Sequence, residues 1–301
     1  MALINVYKET PVLPAPMWAI VRLLAVEKRS VRLDKARNML SPGTVYPDDK
    51  LFEAALYGLT SLGLAKRSDD ERLELTGRAK GLEETDYIGF ISVLRQAVLA
   101  ADLNSGLGDD DSQAGPRDLC RALCWFLAQD PSGESLNWAA AQQLQNNALK
   151  AEVGLVFSNN ARWAPFMAWA TALGFGAPAL AIKPGTASHI VADCTPAVRQ
   201  TVLSLWKPGE SVSAIELLHD LRKSLPVLPG GAYSLAVGLD YPGDDVAGQS
   251  LSHALLRGVD EGWLELQRFA DAKQVLSVYD PDNPNFPRSY SSAKIGEDLH
   301  A

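Results

Sequence analysis

The sequence predicts a mainly α fold with small β-hairpin wings, and three observations carry that prediction. Short apolar segments at helical spacing, closed by an alternating charged hairpin, occur once near each end, at residues 17–82 and 197–280. The stretch between them, from Asp86 to about Cys194, reads as nearly all helical. The composition is that of an ordinary globular chain, 47% hydrophobic and 21% charged over 301 residues, long enough for two or three domains.

In the first unit, MWAIVRLLAVEK places Ile20, Leu23 and Leu24 on one helical face. Val31 to Leu40 predicts a second helix with Leu33, Ala36 and Leu40 inward. Pro42, Gly43 and Pro47 break the pattern, and Asp48 or Asp49 caps a third helix burying Leu51, Phe52, Ala55, Leu56 and Leu59. Gly63 ends it; two short strands, 64–67 and 72–75, flank Ser68–Glu71, and Thr76 begins the next helix. In the middle, an apolar stripe runs through Ile88, Ile91, Leu94 and Val98, and three more helices follow a Gly/Asp loop at 106–115. In the last third, Thr195-Pro196 starts a helix and Ser211–Ser213 opens a second. An insert at about 226–248 carries YSLAVGLDY, which reads as an extra strand. The third helix, 250–262, turns Leu251, Ala254, Leu255 and Val259 inward. Residues 263–266 and 274–278 alternate and pair as a wing, before a tail expected to be irregular. The implied domains are 1–85, 86–195 and 196–301.

The net charge of −8 is unevenly spread. Residues 1–82 carry 13 Lys/Arg against 10 Asp/Glu, whereas 83–195 carry 6 against 12 and 196–301 carry 9 against 14. Only the first segment suits phosphate, which needs local positive charge. Its candidates for duplex contact are Arg32, Lys35, Arg37, Lys50, Tyr57, Lys66, Arg67 and Arg72, beside Lys28 and Arg29. Asp48 and Asp49 at the start of the third helix, and Asp69, Asp70 and Glu71 at the wing tip, oppose that reading. In the second unit the candidates are Ser250, Ser252, His253, Arg257, Arg268 and Lys273. Nearby Asp260, Glu261 and Asp271 suit a protein interface equally well.

No constellation for catalysis competes with these. Cys120 and Cys124 sit i,i+4 without two further ligands and read as buried small hydrophobes beside Trp125 and Phe126. His189, Asp193 and Cys194 invite a Cys–His nucleophile that no motif supports, and His219, His253 and His300 are scattered. Gly230-Gly231 lacks phosphate-loop spacing, and Asp109–Asp111 lacks a calcium-loop register. Trp163, Phe166 and Trp169 fall at helical spacing and read as core. No apolar run approaches the ~20 residues that cross a bilayer; the longest, Ala164 to Ile182, is broken by Gly174, Gly176 and Pro178. The opening residues lack a signal-peptide pattern, so the expected location is cytoplasmic.

The run AALYGLTSLGLAKRSDDERLELTGRA resembles the winged helix-turn-helix superfamily, and the second unit resembles it less specifically. The resemblance implies two winged-helix domains flanking a helical middle domain. The whole-chain layout, opening LINVYKETPVLPAPMWAIVRLL, resembles DpdG-type proteins of bacterial DNA-modification and defence islands. That likeness implies a non-enzymatic accessory protein in a multiprotein system acting on DNA. The expected partners are double-stranded DNA, contacted through the N-terminal unit, and other proteins of the same system. No cofactor, metal or membrane is expected, and self-association into a homo-oligomer stays open. The alternative is an adaptor or scaffold that uses winged-helix folds without touching DNA.

Overall fold

The computed structural model describes residues 2–28, 30–146, 148–179 and 189–296. The far end of the 164–182 run, Arg29 and His300 lie outside the described residues. The described chain divides into two compact units. One runs to Ser105 and adds Ser112–Leu119 and Ser158–Leu173; the other comprises Gly106–Asp111, Cys120–Phe157 and the chain from Gly174 onward. Residues of the expected middle domain, 86–195, are therefore shared between the two. No helix among the described residues is long and apolar enough to cross a membrane.

The first unit opens with a hairpin of β1 (Val6–Tyr7) and β2 (Thr10–Pro11). Its turn holds Lys8 at φ 45° and Glu9 at φ 69°, left-handed positions that usually fall to Asn and Gly. Helix α1 (Pro14–Glu27) begins on a proline, where a missing N–H costs nothing, and buries Met17, Ile20, Val21 and Leu24. The second helix starts later than predicted. Val31–Arg32 is strand β3, because its backbone pairs with Leu73 and Arg72, and α2 spans Leu33–Leu40.

Helix α3 (Lys50–Ser61) buries Phe52, Ala55, Leu56 and Leu59 as expected, but Leu51 is 41% exposed. Asp49 is the cap residue, as expected, but without a side-chain bond; Asp48 instead accepts from the N–H of Lys50, the first residue of the helix, at 3.2 Å. Gly63, at φ +67°, takes the left-handed turn that reverses the chain into β4 (Ala65–Arg67). β5 (Arg72–Leu75) pairs antiparallel with both β3 and β4, giving the order β3-β5-β4. A short 3-10 turn, Gly77–Gly81, stands where the next helix was expected, and α4 (Tyr87–Val98) follows. Its buried stripe is Phe90, Ile91, Leu94 and Val98; Ile88 is exposed, corrected by Phe90 taking its place inward.

The next three helices are α5 (Arg117–Leu127), α6 (Trp138–Leu144) and α7 (Trp163–Ala172). In α7, Trp163, Phe166 and Trp169 are core residues. The N-terminal hairpin is pinned at both ends. Before it, the Leu3 and Ile4 N–H groups donate to Asp118 at 3.0 Å each; after it, Trp169 Nε1 donates to the Val12 carbonyl at 2.8 Å.

In the second unit, β6 (Ala177–Pro178) and β7 (Ile190–Val191) pair before α8 (Thr195–Leu205). Ser211–Ser213 is strand β8 rather than a helix start, because it pairs with the C-terminal β12; α9 spans Ala214–Ser224. YSLAVGLDY forms the short helix α10 (Ala232–Ala236) and a following loop, not a strand. Helix α11 (Gln249–Asp260) ends at Gly262, φ +76°, repeating the role of Gly63; Val259 on it is 40% exposed rather than inward.

The predicted wing is corrected. β9 (Leu264–Gln267) does not pair with β10 (Leu276–Val278). β9 pairs with β12 (Ser292–Ile295), and β10 pairs with β11 (Arg288–Tyr290). The tail thus completes a sheet of order β8-β12-β9, sinking Ala293 and Ile295 into the core. Apart from the insert helix α10 and the β10–β11 pair of the second unit, both therefore share the order helix, strand, helix, helix, strand, strand, with the last strand in the middle of the sheet.

Candidate nucleic-acid interface

Of the candidate cations of the first unit, Arg32, Lys35, Lys50, Lys66 and Arg67 are exposed and Arg37 and Arg72 half-buried, but most are engaged by acids of the same unit. Arg32 pairs with Asp34 at 3.0 Å and Lys35 with Glu27 at 2.7 Å. Arg37 reaches Asp49 at 2.8 Å and also Glu53. Lys50 lies between Glu9 at 3.6 Å and Asp48 at 3.8 Å. On the hairpin, Lys66 pairs with Glu74 at 2.6 Å across the β4–β5 register, and Arg67 with Glu71. Arg72 donates to the Ser30 hydroxyl and carbonyl at 2.7 Å each, tying β5 to the end of α1. The hydrogen bond from Arg32 lowers the Asp34 pKa, and the Lys66–Glu74 hydrogen bond raises the lysine and lowers the glutamate.

Around α3, Arg37 and Lys50 face Glu9, Asp48, Asp49 and Glu53. On the β4–β5 hairpin, Lys66, Arg67 and Arg72 stand beside Asp69, Asp70, Glu71 and Glu74. The excess of positive charge over residues 1–82 is thus cancelled where a groove-reading helix and wing would need it. Helix α3 is also partly covered by the β1–β2 hairpin, while Lys50, Leu51 and Thr60 stay exposed. Tyr7 of the hairpin stacks on Tyr57 at 4.5 Å with ring planes 13° apart, and Val12 lies so close to Gly58 that a Cβ there would sit 2.6 Å from its Cγ1.

In the second unit, Ser250 and Ser252 are fully buried, which removes both from the contact candidates. Ser250 Oγ donates to the Leu127 carbonyl at 2.6 Å, and Ser252 Oγ accepts from the Tyr279 N–H at 2.9 Å. Arg257 bridges the buried Asp193 at 2.6 Å and Glu261 at 2.7 Å. His253 is half-buried, and that burial lowers its pKa. Arg268 and Lys273 are exposed, on the segment between β9 and β10.

The remaining constellations resolve into packing. Cys120, Cys124 and Cys194 are buried, and burial raises the Cys124 and Cys194 thiols. Cys194 donates to the Ser250 carbonyl, whereas His189 contacts Ser135 and Asn137, so the Cys–His pairing does not form. Two residues that sequence reasoning missed organise the units. Asp118 anchors the N-terminal segment, and Arg222 donates to the carbonyls of Pro229, Gly243 and Val246 at 2.8–2.9 Å, closing the insert on itself. Neither carries a sequence signal, since the partners are backbone groups brought near by folding. Lys28 and Lys80, outside the ion pairs, line a groove of about 500 Å³ with Glu74, Glu83 and Glu84.

Fold and surface together define a two-unit helical protein with small antiparallel sheets and largely self-neutralised charge. The chain belongs to the DpdG-like family, whose model matches residues 1–272. That membership is consistent with a role related to bacterial DNA modification. No curated protein and no solved structure matches the chain.

Proposed function

We propose that this protein is a non-enzymatic accessory component of a bacterial DNA-modification or defence system, working as a protein-contacting adaptor built on two winged-helix units. The strand order in each sheet supports the winged-helix reading, and family membership supports the system. One observation carries the choice of adaptor over autonomous duplex binder: α3 and α11, the helices that precede the sheet hairpins, are each engaged by their own unit. Helix α3 is partly covered by Tyr7 and ringed by carboxylates, and α11 spends Ser250, Ser252 and Arg257 on internal bonds. A helix that reads the major groove needs those side chains free.

Direct contact with duplex through Arg32, Lys35, Arg37, Lys50, Lys66, Arg67 and Arg72 is the second reading, favoured by the positive excess of residues 1–82. Exposed ion pairs are weak and exchangeable, so phosphate can compete for their cations. A mobility-shift titration of the full chain on duplex at two salt concentrations separates the readings. The adaptor predicts no retention at low salt, together with a stable co-purifying protein partner. Retention that falls steeply with salt, by about 0.9 log units per log unit of salt for each phosphate contact, and disappears when Arg32, Lys35 and Arg37 become Glu, replaces it with the duplex reading.

A further inference from the structure

Next to the covered face of α3 lies a groove of different chemistry. Pro16, Ala19 and Ile20 of α1, Tyr46 of the following loop, and Leu51 and Phe52 of α3 line an open cavity of about 290 Å³. Among the lining side chains Tyr46 is 45% and Leu51 41% exposed, and Met39, 54% exposed, and Val45, 69%, are the chain neighbours of the lining residues Leu40 and Tyr46. Such a cluster on one short stretch is not scattered surface apolarity. The volume falls at or below the roughly 300–1,000 Å³ of small-molecule sites, and the cavity is open, so a side chain from a partner suits it better than a free metabolite.

The rim selects the partner. Asp48 is a lining residue and shares Lys50 with Glu9, and the next residue, Asp49, shares Arg37 with Glu53, so four carboxylates meet two cations at this end of α3. An apolar floor beneath an acidic rim repels nucleic acid and complements an apolar segment flanked by Lys or Arg. The geometry points to this groove as the docking site for an amphipathic, basic segment of a partner protein, an inference that rests on the adaptor reading. Leu51 is the apolar contact that the sequence expected inside; its exposure follows from facing this groove.

The test uses the full chain as bait for selection from a random peptide display library. Selected peptides are then synthesised and titrated by fluorescence anisotropy. Enrichment of apolar peptides with net positive charge is expected. Their affinity should fall about tenfold or more on Leu51→Ser and on Asp48→Lys. Ala19→Met, which fills the groove without adding charge, should weaken them as well and guards against a charge effect alone. Lys80→Ala, away from the groove, should leave them unchanged, and thermal melts report whether each variant folds. Peptides that are acidic, an absence of enrichment, or affinities indifferent to Leu51→Ser and Ala19→Met in folded protein each overturn the site. A co-purifying partner retained by those variants would leave the adaptor reading standing while removing this groove from it.

Discussion

Asp118 offers a test in which pH and geometry must agree. Its carboxylate is buried and accepts the N–H groups of Leu3 and Ile4 at 3.0 Å and of Leu119 at 2.8 Å. Burial pushes its pKa up to about 6 from 3.8, against the downward pull of those three amides and of Arg162. A carboxyl group raised on folding holds its proton longer in the native state than in the unfolded one. Its contribution is therefore fully present below the unfolded value near 4 and is lost as pH rises through about 6. A shift of about two units corresponds to ~3 kcal/mol over that window. Asp118→Asn cannot titrate; it keeps one acceptor but presents an NH₂ to a second amide, costing about 1–3 kcal/mol at low pH. The wild-type advantage should shrink by up to ~3 kcal/mol between pH ~4 and ~7 and vanish or reverse at the upper end. Urea unfolding of both full chains, followed by tryptophan fluorescence across that range, measures the difference. A constant difference would show that the amides and Arg162 offset burial, and a wild type gaining on the variant as pH rises that they outweigh it; either refutes the argument.

Two further outcomes follow from named contacts. Arg222→Met removes donors from three backbone carbonyls within the second unit, so a loss of about 3 kcal/mol and faster amide exchange across residues 226–248 are expected; unchanged exchange there would mean that the insert holds itself. Replacing Lys8 by Asn and Glu9 by Gly relieves two left-handed positions in the β1–β2 turn and should raise the melting temperature by a few degrees. A lower melting temperature would point to the Glu9–Lys50 contact as worth more than the turn strain.

Much of the helical frame was legible because its signals are local. Gly63 and Gly262 follow α3 and α11 in the same backbone conformation, and both appear in sequence as a glycine just before the apolar residue that leads into a strand, Leu64 or Trp263. The strands that failed to appear are short ones defined by distant partners. Val31–Arg32 and Ser211–Ser213 read as helix starts because nothing local declares Leu73 or Ala293 to be opposite them. The wing of the second unit failed for the same reason. Residues 274–278 alternate well, and proximity made them the obvious mate for 263–266, yet β9 waits for β12 beyond the intervening β10–β11 hairpin. At the site, the cations were legible but their partners were not: Glu53 is 16 residues from Arg37 and meets it only once α2 and α3 pack.

That last point changes what a charge count can say. Summed over residues 1–82, the excess of three positive charges favours phosphate. Resolved by position, Arg37 and Lys50 beside α3 are outnumbered by four carboxylates, and the wing cations by four more. The surplus resides instead in groups such as Lys28 and Lys80, which flank a groove that also holds three glutamates. A uniform basic field is what steers a protein to a duplex; alternating charges in fixed pairs reward a partner whose own charges alternate to match. Apart from α10 and the β10–β11 pair, the two units share a helix and strand order, and α3 and α11 are engaged by different routes, a tyrosine-bearing hairpin in one and hydrogen-bonded buried serines in the other. In both, side chains that a groove-reading helix would present are engaged within the unit, and the part of α3 left open, at Leu51, is the apolar edge of the groove proposed for a partner.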